Sequence, residues 1–228
     1  MNRICFSLLL FMLSLPVFTQ ETNSKIPLDS LYREDQFYAS LTYNLAQQKP
    51  RGYSQRGFST GLAFGFLRDM PINKNRTYAI AAGLGYSFNS FKHNLKISQS
   101  ASGTVFEVVD AGDFDKNKLE LHYLDVPLEI RWRQSTTESH KFWRIYTGFK
   151  LSYVLASKAV FENSLENQKI LGIEQLNKVR YGAYVTVGWN AWNLYAYYGF
   201  NPMFKSGKTG NENVTLNSFN LGVMFYIL

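Results

Sequence analysis

Ionisable residues recur at alternate positions in three short segments of this chain. Asp125, Glu129, Arg131 and Arg133 share one parity, Arg144 and Lys150 another, and Arg180 stands alone in a third segment. On β-strands, where side chains alternate between faces, each set occupies a single face. Such groups, turned into a closed cylinder, can pass protons or ions, or they can neutralise one another. An unpaired charge in that setting costs several kcal/mol. The expectation is therefore a neutralising network of Asp125, Glu129, Arg131, Arg133, Arg144, Lys150 and Arg180, not a conduction path.

Other chemistry finds little support. The three histidines are His93, His122 and His140. An acyl hydrolase needs a serine and an acidic orienter within reach of a histidine. Ser87 and Ser90 fall near the outer rim, but nothing ties them to a histidine. No phosphate-binding glycine loop and no metal-ligand spacing occurs. The reading is not an enzyme, with no catalytic residue, no cofactor, no metal and no small-molecule substrate.

The four tryptophans are the second pointed feature. Trp132 and Trp143 flank the turn around Gln134–Lys141, and Trp189 and Trp192 flank Asn190–Ala191. All four fall on the apolar parity of their segments. Indole rings at one level of a sheet mark a membrane–water boundary. They are expected to form an interface belt.

Eight segments supply the strands that position these residues. Their apolar faces run Phe37–Leu45, Phe58–Phe66, Tyr78–Phe88, Leu124–Trp132, Trp143–Tyr153, Val179–Trp189, Trp192–Phe200 and Phe219–Ile227. Each alternates with small, polar or charged residues at period two. A water-soluble barrel would also alternate, with its apolar face inward. Glycine and alanine crowd the minor face of the second and third segments, which suits a narrow interior. The tryptophans suit a lipid-facing exterior. The expected fold is all-β, an eight-stranded antiparallel transmembrane up-and-down barrel with a lumen filled by side chains.

Bulk properties agree. Aromatic residues make up 16% of the 228 residues, yet mean hydropathy is −0.20. A barrel shows lipid only every second residue, so both hold together. Residues 1–19 read as a signal peptide, with Arg3 ahead of the apolar run Ile4–Leu15. Residues 20–35 read as a periplasmic tail and 36–228 as the barrel. Cys5 is the only cysteine, so a processed chain has no thiol. The net charge of +7 comes without a dense basic run, which argues against nucleic acid as a partner.

Joins between segments alternate in length. Those around Asp69–Arg76, Gln134–His140 and Asn190–Ala191 are short. Those around Ala46–Gln55, Ser98–Lys118, Ser157–Asn177 and Lys205–Asn213 are long and expected to be outer loops. An even strand count then leaves both termini periplasmic. Pro127 cannot donate to a ladder, so a bulge or local break is expected there. Pairing Trp132 with Trp143 would set Asp125 opposite Lys150 and Glu129 one diagonal step from Arg144.

Five segments carry a family resemblance: Asp29–Tyr38, Gly65–Lys74, Ala82–Ser90, His122–Arg133 and His140–Gly148. In them the chain resembles the PorT (SprT) proteins of the type IX secretion system. The resemblance implies an outer-membrane barrel needed for export of cargo with C-terminal targeting domains, and for associated gliding. It implies other type IX secretion components as partners, beside outer-membrane lipid, and carries over no catalytic residue. The alternative is a small porin-like or adhesive surface barrel acting through its outer loops. A lipid A-modifying enzyme ranks third.

Overall fold

The computed structural model describes residues 35–73, 75–100, 103–110, 112–134, 143–189 and 192–227. The expected signal segment, nearly all of the 20–35 tail, His140 and the Asn190–Ala191 turn lie outside them.

Thirteen strands follow one another: β1 (Gln36–Gln47), β2 (Thr60–Pro71), β3 (Tyr78–Lys92), β4 (Leu95–Ser100), β5 (Gly103–Val108), β6 (Lys116–Arg133), β7 (Trp143–Glu162), β8 (Asn167–Leu171), β9 (Val179–Trp189), β10 (Trp192–Gly199), β11 (Lys208–Thr209), β12 (Glu212–Asn213) and β13 (Asn217–Ile227). Eight of them, β6-β3-β2-β1-β13-β10-β9-β7, pair in that order, and β6–β7 pairing closes the ring. Every barrel neighbour is antiparallel. This is an eight-stranded antiparallel up-and-down barrel, and closure leaves it no open edge.

Side-chain direction follows the two-residue period. Ile130 is 63% exposed and Leu194 70%, whereas Glu129 and Arg131 are fully buried. Large apolar residues cover the outside of the wall and the charges lie within. Small residues inside make room for large ones. A Cβ on Gly148 would come within 2.4 Å of the Tyr184 ring, and one on Gly85 within 2.0 Å of Tyr38 Oη.

β6 changes sense along its length. From Trp132 back to Leu124 its even-numbered residues are apolar and face outward, while Arg133, Arg131, Glu129 and Asp125 are buried. Beyond His122 the pattern inverts. Tyr123, Leu121 and Leu119 are buried, and Glu120, Lys118 and Lys116 face outward. A register irregularity sits at this His122/Tyr123 step. The stretch from Trp132 to His122 matches the roughly 9–11 residues a tilted strand needs to cross a bilayer. The remainder is patterned for water outside and a core within.

That inversion corrects the expected loops. The regions around Ser98–Lys118 and Ser157–Asn177 are largely strand: β6 and β7 run on as a paired ribbon to Lys116↔Glu162, β8 adds to β7, and β4–β5 form a hairpin. Lys205–Asn213 holds the small β11–β12 hairpin. Together they enclose a second apolar core with Phe91, Leu95, Phe106, Leu119, Leu121, Ile173, Met203, Phe204 and Leu216. The long-loop end is thus a packed cap, not a set of open loops.

One finer expectation is met and another corrected. The break expected at Pro127 is present as a gap in its ladder with β3, while the bulge lies at His122/Tyr123. Pro127 pairs with Lys150 on β7 without a shift. Towards β3 the register holds on either side, but the ladder lacks its bridges between Ala82↔Leu128 and Gly85↔Asp125. The donor that proline lacks is therefore missing only where pairing is already interrupted. The β6–β7 register is two residues from the one expected. Trp132 faces Ile145, Asp125 faces Ser152, and Trp143 pairs with Trp189 on β9. A two-residue slip preserves inside and outside, so alternation could not exclude it.

Candidate functional site

The lumen is built around Asp69, which lies on the buried face near the end of β2. Arg131 Nη1 donates to its Oδ1 at 2.7 Å and Arg133 Nη2 to its Oδ2 at 3.0 Å. Arg131 Nε also donates to Glu129 Oε2 at 2.7 Å. Glu129 Oε1 accepts from Tyr184 Oη at 2.6 Å and from Tyr226 Oη at 3.2 Å. The Arg131 guanidinium lies over the Tyr146 ring, 4.8 Å from its centroid, a favourable cation–π placement. Arg144 stands 5.9 Å from the Tyr226 centroid. Glu129 therefore meets Arg131 and two tyrosines, and not Arg144, as the register shift requires.

A second group lies further along. Lys150 Nζ is 3.6 Å from Asp125 Oδ2, 3.4 Å from Tyr195 Oη and 4.4 Å from the Tyr197 centroid. Arg180 donates to Asn201 O and to Ser218 Oγ. Asn44, Asn89 and Asn220 bond one another nearby. Among the described residues, two cavities lie between these side chains, of about 20 Å³ and 10 Å³. Each is of about the size that holds a single water. Such cavities can hydrate the buried charges, but they are not a passage for solutes.

The buried tyrosines Tyr38, Tyr146, Tyr184, Tyr195, Tyr197 and Tyr226 lie on the inward parity of their segments, as the alternation places them, whereas Asp69 falls in an expected join. Asp69 shares the parity of Gly61, Ala63, Gly65 and Leu67, and that was the available signal. The join expected around Asp69–Arg76 put it in a turn instead, yet β2 continues to Pro71.

Trp143 and Trp189 meet edge-on at 5.4 Å, and Trp192 meets Phe225 at 4.9 Å. Trp132 pairs with Tyr78 and Ile145. All four tryptophans stand at the short-turn end of their strands.

Neither Ser87 nor Ser90 bonds a histidine among the described residues. His122 faces outward, with Nδ1 2.5 Å from Tyr86 Oη. No group of three His, Cys, Asp or Glu among the described residues is placed to hold a metal. His93 is 2% exposed at the base of the cap, and its Nδ1 accepts from the Leu95 N–H. Burial pushes its imidazole down to about 4. The unfolded chain takes up this proton below about 6.5, the folded chain only near 4. Cap stability is then full above that upper value and falls as pH drops through the window, by on the order of 3 kcal/mol. Hydrogen exchange of the cap at pH 7 and pH 4.5 checks this, and His93→Gln should flatten the difference.

The wall and its filled interior have a counterpart among known sequences. Residues 18–205 match the outer membrane protein beta-barrel domain. The chain belongs to that family. Its barrel is an outer-membrane barrel, with its apolar wall set in the lipid bilayer. Among solved structures, the chain is similar to Ail, the attachment invasion locus protein of Yersinia pestis, which was solved with the heparin analogue sucrose octasulfate. Identity there is 11%, the TM-score 0.36, and coverage 86% of this chain and 99% of that one. A mutant porin of Rh. blastica gives 9% identity and a TM-score of 0.23, covering 86% of this chain and all of the other. A search of curated proteins finds no match.

Proposed function

We propose that this barrel is a non-enzymatic scaffold of type IX protein secretion. It anchors in the outer membrane and holds other machine parts on the periplasmic side, through its short turns and the 20–35 tail. The observation that carries a scaffold over a channel is the interior, where, among the described residues, charges and tyrosines fill the lumen around cavities of about 20 Å³ and 10 Å³. The resemblance in Gly65–Lys74, His122–Arg133 and His140–Gly148 supports the secretion system in particular. In this reading the charge network from Asp125 to Arg180 satisfies the core. The short-turn end and both termini face the periplasm, the cap faces outward, and the tryptophans mark the inner water boundary.

The purified barrel in planar bilayers should show no sustained porin-sized conductance. A clean deletion should stop export of cargo with C-terminal targeting domains while leaving the membrane intact. Normal export in that strain overturns the secretion role.

An adhesive surface barrel is the second reading. It is favoured by the packed cap, which displays Leu165 at 93% and Leu171 at 66% exposure. Leu165→Asp with Leu171→Asp separates the two readings. Adhesion should vanish under the second, and export should survive under periplasmic docking.

A further inference from the structure

Where β3 and β6 leave the apolar band, their outer faces carry a cationic groove of about 520 Å³. It is lined by Arg56, Lys92, Lys116 and Lys118, with Asp115 the one carboxylate on its wall. Lys116 is held by Glu162 at 2.9 Å, and Lys118 is paired with Glu120. Among the described residues, Arg56 and Lys92 have no carboxylate partner, and both are exposed.

Two buried donors line the same groove without an acceptor. His93 Nδ1 accepts from the Leu95 N–H, which leaves the ring proton on Nε2, and Nε2 has no partner. Asn117 is 6% exposed, and its Nδ2 is likewise unpartnered. Both atoms are closed off from solvent, so the donors that an anion in the groove can reach are the exposed Arg56 and Lys92 and the partly solvated Lys116 and Lys118.

We propose that this groove binds the phosphate of a lipid headgroup at the bilayer surface. Position selects the lipid over a free ion. Lys92 lies four residues beyond outward-facing Phe88 on β3, and Lys118 lies four beyond His122 on β6, where the wall stops being apolar. Phe58, 59% exposed, adjoins the groove through Gly57. Acyl chains lying along this wall would deliver a phosphate to lysines that approach it as mobile point charges. The inference depends on the bilayer boundary at His122 and not on a secretion role.

The test uses the folded barrel in mixed micelles holding equal amounts of diphosphoryl lipid A and its dephosphorylated form, with retained lipid read by native mass spectrometry. The phosphorylated lipid should be retained about tenfold more, as charge-assisted hydrogen bonds favour it. Lys92→Gln with Lys118→Gln should abolish the preference. Lys169→Gln with Lys208→Gln, an equal charge change outside the groove, should leave it intact. Heat-modifiable mobility verifies folding, and Arg56→Gln, at an exposed position, gives an independent loss if the double variant folds poorly. Equal retention of both lipids, or an unchanged preference in the groove variants, overturns the proposal. So does full displacement by an equal concentration of inorganic phosphate, which would mark a free-ion site.

Discussion

Asp69→Ala should destabilise the barrel by about 3–5 kcal/mol, the loss expected when one partner of a buried ion cluster is removed. Asp69 receives both Arg131 and Arg133 at 2.7 Å and 3.0 Å, with all three side chains at most 1% exposed. Removing it takes a carboxylate from two guanidinium groups that cannot reach water. Glu129 still faces Arg131, which keeps the effect short of total unfolding. Urea titration in lipid vesicles, followed by the heat-modifiable shift, measures the change. Lys158→Ala makes the comparison. Its 3.2 Å pair with Glu120 is partly solvated, so its loss should stay below about 1 kcal/mol. Equal effects from the two substitutions would mean that water reaches the lumen.

Phe204→Ala should act on the cap alone. Phe204 is 2% exposed and meets Phe106 edge-on at 5.0 Å, joining the β4–β5 hairpin to the segment after β10. Truncating a buried phenylalanine costs about 3–5 kcal/mol. The cap core is separate from the tyrosine-rich cluster of the lumen, so the loss should open the cap and spare the wall. Limited proteolysis should then cut within residues 95–110 or 163–176, while the barrel keeps its folded mobility. Loss of the folded mobility itself would show that cap and wall form a single cooperative unit.

The eight barrel strands were legible because burial on one face imposes a two-residue period on every segment. Position along the strand was less legible. The Trp132–Trp143 pairing misplaced the β6–β7 register by two residues, an error that leaves every side chain on its correct face. Asp69 was assigned to the join around Asp69–Arg76, although its parity matched that of the inward glycines. The cap was hidden for a different reason. Lys116–His122 also alternates, but with the opposite sense, so a search for apolar-outward strands ended at Tyr123. Leu119 and Leu121, unlike Leu124 and Val126, are apolar residues that face inward. The cap's anchors are also dispersed: Phe106, Ile173, and Met203 with Val214 come from three different connections between barrel strands. Their convergence is a long-range property that no local pattern contains.

The central claim is that apolar residues of the wall face lipid and charged ones face a closed interior. Single cysteines at residues 123–132, introduced into a chain whose one cysteine is Cys5, can carry spin labels. Collision of those labels with dissolved oxygen in vesicles tests the claim directly. Accessibility should oscillate with a period of two residues, high at 124, 126, 128 and 130 and low at 125, 129 and 131. Maxima at the odd positions, or no oscillation, would contradict it.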